Sequence, residues 1–123
     1  MVEHEKVIKN YFESWLNNND LILEDIFDSK IIYSECYGPE YHGIKTIKRW
    51  FEDWHKRGKV LKWDIKQFIH SGNITIVEWY FNCIYDGKID EFDGVSLIEF
   101  NNDNHILSLK EFQSKIPHYY PYE

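Results

Sequence analysis

Tyr11 and Glu35 are polar side chains set in aromatic, apolar stretches where packing alone has no use for either. Tyr11 falls on the apolar side of a helical pattern, and Glu35 follows the strand-like run Lys30-Ile31-Ile32-Tyr33-Ser34. A carboxylate and a phenol directed into one apolar cavity can move a proton beside a carbonyl group. The carboxylate takes the proton, and the phenol steadies the oxyanion that forms. Each residue also has a plainer use. A tyrosine on an apolar helix face commonly ties its hydroxyl to a core neighbour, and a glutamate at a strand end can face solvent or pair with Lys30.

The elements that must position these residues are helices first and strands afterwards. Val7, Ile8, Tyr11, Phe12 and Trp15 recur at three- and four-residue spacing, which predicts an amphipathic helix over 3–16, ended by Asn17-Asn18-Asn19. Asp20 is placed to cap a short helix over 21–27. A strand over 30–36 leads into a turn-rich loop over 37–43. Ile44, Ile47, Trp50, Phe51 and Trp54 then return to helical spacing, with Gly58 as a stop. From Val60 the period becomes two: Leu61, Trp63, Ile65 and Gln67 alternate with Lys62, Asp64 and Lys66. Ser71-Gly72-Asn73 turns the chain into a strand over 74–85, and Asp86-Gly87 is a hairpin signal leading to a strand over 88–100 with Gly94 as a candidate bulge. Asn101-Asn102-Asp103-Asn104 turns into a last strand over 105–116.

This order predicts one α+β domain spanning 1–123, in which a curved antiparallel sheet wraps around the long N-terminal helix and the further helices. A bent sheet on a long helix leaves a cone with an internal hydrophobic cavity. Tyr11, Trp15, Phe27, Glu35, Trp50 and Trp54 come from elements expected to border it, and Trp63, Trp79, Phe81 and Leu109 join them as candidate ligand contacts. Five Trp, nine Tyr and eight Phe in 123 residues, with no Ala, supply both a core and a cavity wall from rings.

A formal charge of −7 argues against nucleic-acid and anionic-membrane partners, because binding phosphates needs a basic patch. Lys45, Lys48, Arg49, Lys56, Arg57 and Lys59 read as a solvated helix face. The acidic start, Met1-Val2-Glu3-His4-Glu5, has no apolar signal region, which makes the cytosol the expected location. Cys36 and Cys83 form no motif and are expected as free thiols. His4, His42, His55, His70, His105 and His118 lack ligand spacing, so no metal is expected; His42 alone sits in a loop near the expected cavity rim.

Several strings resemble the nuclear transport factor 2-like superfamily, in particular its SnoaL-like and ketosteroid-isomerase-like members. They are Glu35-Cys36-Tyr37-Gly38; Pro39-Glu40-Tyr41-His42-Gly43 with Ile47 and Trp50 beyond; Asp93-Gly94-Val95-Ser96-Leu97-Ile98-Glu99-Phe100; and residues 106–113. The late strings look most like uncharacterised SnoaL-like proteins. In ketosteroid isomerases a first-helix Tyr donates to the enolate, a first-strand carboxylate carries the proton, and a later-strand Asp completes the oxyanion hole. The resemblance implies these roles for Tyr11 and Glu35. Counting from Phe100, the second Asp is replaced by Ser96, and Asp93 lies three residues earlier on the other face. Ser96 is then either a weaker oxyanion donor or a small strand residue.

Two kinds of function are consistent with this reading. One is a cofactor-free isomerase or cyclase acting on a small apolar carbonyl compound, with Glu35 as base and Tyr11 and Ser96 steadying the enolate. The other is a non-catalytic module that holds an apolar ligand, or fills its cavity with Trp15, Trp50, Trp63 and Trp79, and pairs two copies through outward residues such as Tyr80. The resemblance implies a homodimer.

Overall fold

The computed structural model describes residues 2–123; Met1, the first residue of the acidic start, lies outside them. Helix α1, Val2–Leu16, buries Ile8, Tyr11, Phe12 and Trp15, the stripe that its spacing demands. The short α2, Leu23–Ile26, is narrower than the expected 21–27, because Phe27 is already extended and opens strand β1, Phe27–Ser34. A three-residue strand β2, Glu40–His42, lies within what reads in sequence as loop alone. It pairs antiparallel with β1, Ile32 opposite His42. Helix α3, Ile44–His55, buries Ile47 and Phe51.

Four long strands complete the domain: β3, Gly58–Ser71; β4, Ile74–Tyr85; β5, Lys88–Phe100; and β6, Ile106–Ser114. Together the six strands form one sheet in the order β2-β1-β6-β5-β4-β3. Pairing is antiparallel throughout except between β1 and β6, which run parallel because β1 is inserted beside the last strand of the meander. The sheet curves around α1, with α3 packed on the β1–β2 side, and the expected α+β cone results.

Curvature arises where the β3–β4 register shifts, between Val60 and Lys62 and again between Ile65 and Gln67. Each extra residue bends the strand and reverses the facing of the residues beyond it. Val60, Trp63, Ile65 and Phe68 therefore turn inward at mixed two- and three-residue intervals. Leu61 and Gln67, which strict alternation places with Trp63, are exposed. Gly94 is not a bulge, since β4 and β5 stay in register from Ile74–Glu99 to Tyr85–Lys88. It is glycine because a Cβ there would lie 2.4 Å from the Trp79 ring and 2.5 Å from the Phe112 carbonyl oxygen. At the hairpin tip Asp86 and Gly87 both adopt positive φ, 51° and 76°, as a two-residue type I′ turn requires.

Candidate functional site

Aliphatic and aromatic residues separate within the cone. Ile8, Leu23, Ile31, Ile98 and Ile106 fill the packed interior, whereas among the described residues the walls of a cavity of about 910 Å³ carry no Leu, Ile or Val. One side of this cavity is Trp15 of α1, Tyr33 of β1, Tyr41 of β2, and Trp50 and Trp54 of α3. The other is Trp63, Trp79, Phe81 and Phe92 of the sheet. On the first side Trp50 is the hub: Tyr41 stacks on it at 4.5 Å between ring centres, Trp15 lies at 4.8 Å and Tyr33 at 4.9 Å.

Two carboxyl groups enter this aromatic space. Glu35 follows β1 and accepts a hydrogen bond from the Tyr41 hydroxyl at 3.2 Å. Burial raises its pKa to about 6, against the lowering effect of that bond. Glu111 projects from β6 and accepts from Tyr33 at 2.5 Å. Burial is again the main cause of a rise to about 7; the Tyr33 bond and the Cys36 backbone N–H oppose it, and the charge of Glu35 adds to it. No lysine or arginine contributes to either shift. The two groups therefore share one poorly solvated site, and Arg49, Lys56 and Arg57, which also line the cavity, shift neither of them.

Behind them runs a chain of hydroxyls. Tyr11 donates to Tyr33 at 2.8 Å, and Tyr33 donates to Glu111. Burial holds both phenols neutral, well above their ordinary range.

Of the residues singled out in the sequence, Glu35, Trp15, Trp50, Trp54, Trp63, Trp79 and Phe81 line the cavity. Tyr11, Phe27, Ser96 and Leu109 are buried behind that lining. Tyr11 reaches the site through Tyr33, and Phe27 packs edge-on against Tyr11 at 5.0 Å. Leu109 lies beside Tyr33 in the β1–β6 ladder. Ser96 Oγ accepts the indole N–H of Trp79 at 2.9 Å, which fixes a wall ring. Asp93 pairs with Lys66 at 2.8 Å on the outer face, and His42 bonds Glu40 in solvent at 2.8 Å. Cys36 and Cys83 are separate thiols.

Glu111 is the functional candidate that sequence reasoning missed. It stands directly opposite Ser96 in the β5–β6 register, so the acid lacking at 96 is present one strand over, on the same face. Its signal is parity: Glu111 lies two residues beyond the buried Leu109, where alternation turns a side chain inward.

Residues 8–109 match the SnoaL-like domain family, and the chain belongs to that family. No curated protein matches the chain. Among solved structures, an epoxide hydrolase of M. tuberculosis, described as LEH-like, is similar with a TM-score of 0.81 at 11% identity, over 92% of this chain and 84% of that one. A hypothetical protein of Catenulispora acidiphila DSM 44928 with a ketosteroid isomerase-like fold, solved in complex with trimethylamine, gives 0.76 at 15%, over 86% and 83%. An NTF-2-like protein of unknown function from Burkholderia xenovorans LB400 gives 0.74 at 19%, over 98% and 88%. At these identities the likeness is one of fold, and such folds host unrelated chemistries. No helix among the described residues is long and apolar enough to cross a membrane.

Proposed function

We propose that the protein binds a small carbonyl compound in the aromatic cavity and catalyses proton transfer beside the carbonyl, as an isomerase or cyclase without a cofactor. The observation that carries this reading is the pair of uncompensated carboxyl groups, Glu35 and Glu111, with pKa values raised to about 6 and about 7. Groups of one type held at different pKa values in one site divide acid and base roles. Between those values Glu35 is ionised and takes the α-proton. Glu111 keeps its proton and donates to the carbonyl oxygen as it gains charge. Tyr33, and Tyr11 behind it, hold Glu111 in place. In this reading the enolate-steadying role expected of Tyr11, together with Ser96, is given to Glu111, because the Tyr11 hydroxyl is bonded to Tyr33 and the Ser96 hydroxyl to Trp79.

The test is solvent deuterium exchange into a ketone first found by thermal shift. Glu35→Gln and Glu111→Gln should each slow exchange by about 10²- to 10⁴-fold, with binding largely kept. Exchange at the native rate in Glu35→Gln removes the base assignment. A non-catalytic binding module remains the reading if ligands bind and neither variant alters any exchange.

A further inference from the structure

We propose that the ligand of this cavity is cationic, an alkylated ammonium compound whose positive group sits against Trp50 and neutralises Glu35. This substrate class belongs to the same site and rests on the proton-transfer reading only for the division of labour between the two acids.

An apolar ligand is served as well by aliphatic as by aromatic side chains, yet among the described residues the large apolar side chains of the cavity wall are all rings, while the buried aliphatic residues lie in the packed interior or on the sheet behind it. What ring faces add is a negative electrostatic surface, which attracts cations, with tryptophan the strongest. Trp50 and Trp54 lie at 4.8 Å and 5.3 Å from Trp15 between ring centres. Trp50 also touches both phenols that hold the carboxyls, Tyr41 on Glu35 and Tyr33 on Glu111. The Trp15–Trp50–Trp54 rings and the two acids therefore adjoin one another.

Charge balance points the same way. Near neutral pH, with one proton between them, Glu35 and Glu111 carry one negative charge that no basic residue offsets. A neutral ligand that displaces water would raise the cost of that charge. A monocation removes the cost and leaves Glu111 protonated.

The basic residues at the mouth do not fill this role. Lys56 pairs with Asp53 at 3.4 Å and Arg57 with Asp86 at 3.7 Å, while Arg49 is exposed and screened by solvent.

The groups that bear on Glu35 are Tyr41 of β2, Glu111 of β6, Tyr11 of α1 and the neighbouring Cys36 thiol. Tyr11, Tyr41 and Cys36 are held neutral by burial through the range where the acids titrate. Affinity for a cation should therefore follow the two acids: it is highest above about pH 7, where both are ionised, and falls as pH drops through the values of Glu111 and then Glu35.

The experiment compares choline with its neutral carbon isostere, 3,3-dimethylbutan-1-ol, by titration calorimetry at pH 5 and pH 7.5. The expected result is choline bound at least tenfold more tightly than the isostere at pH 7.5, with that preference lost at pH 5. Glu35→Gln should weaken the preference, Glu35→Gln combined with Glu111→Gln should abolish both the preference and its pH dependence, and Arg49→Gln should leave both in place. Equal or better binding of the alcohol at pH 7.5, or a choline affinity indifferent to pH in this range, overturns the proposal. Failure to bind either compound at millimolar concentration overturns it equally. These outcomes are independent of catalysis: choline selectivity without any exchange activity would sink the proton-transfer reading and leave this one standing.

Discussion

Two glutamates decide the character of the site, and both are protonated more readily in the folded protein than in the unfolded chain. Their pKa values rise from 4.5 to about 6 and about 7, so folding takes up protons between those limits. The stability they contribute is complete below about pH 4.5 and is lost as pH climbs through 6 and 7. Other carboxylates, such as Asp28 with its bonds from Lys30 and Asn101, are shifted the opposite way, so the signal lies in a difference. Urea midpoints at pH 5 and 7.5 should show a smaller loss in Glu111→Gln than in the native protein. An identical loss in both would mean that Glu111 titrates as an ordinary surface acid. Tyr11 belongs to the same network from behind. Tyr11→Phe removes one buried hydrogen bond to Tyr33, which should cost about 1 kcal/mol of stability and leave ligand affinity within about twofold. A larger effect on affinity than on stability would place the phenol in contact with ligand.

Among the elements, β3 and β5 do opposite jobs. β3 bends at two register shifts, which brings Trp63 to the wall. β5 stays regular beside β4, with Gly94 leaving room for the edge of the Trp79 ring. Gly94→Ala forces a methyl against both a ring and a backbone oxygen, and the oxygen cannot yield without moving β6. The expected cost is about 1–3 kcal/mol, read by chemical denaturation, together with weakened binding as Trp79 shifts. Native stability in that variant would show that the contact between Gly94 and Trp79 is loose. Strict alternation misreads the parity of β3 for a physical reason: it has no means of marking an extra residue. Along β4 and β5, which have none, strand limits of 74–85 and 88–100 agree with the structure.

At the scale of the molecule, the outer face of the sheet carries an apolar row. Ile69, Ile76 and Leu97 stand side by side across β3, β4 and β5, and Val95 faces Phe112 in the next pair of strands. Ile69, Leu97 and Phe112 are 53%, 39% and 50% exposed, which a lone domain has no reason to display in one patch. We propose that two copies pair through this face. Light scattering should give a dimer mass for the native protein and a monomer mass for Leu97→Lys, with the melting curve of the variant still cooperative. A native protein that remains monomeric at high micromolar concentration removes the proposal.

Local rules acting on the sequence settle the order of helices and strands, the hairpin at Asp86-Gly87, the domain class, and Glu35 as an acid in an aromatic setting. Helical or alternating spacing, turn chemistry and composition are enough for each of these. Which acids and rings meet is a matter of tertiary structure alone. Glu111 lies 76 positions beyond Glu35 in the chain, and it reaches the site because β6 is laid parallel to β1, a pairing that no local pattern records. Tyr11 and Ser96, polar on the correct faces, spend their hydrogen bonds on Tyr33 and Trp79. Facing can be read from periodicity, but depth cannot, because whether an inward side chain ends in a cavity or in a neighbour depends on what the opposite strand places there.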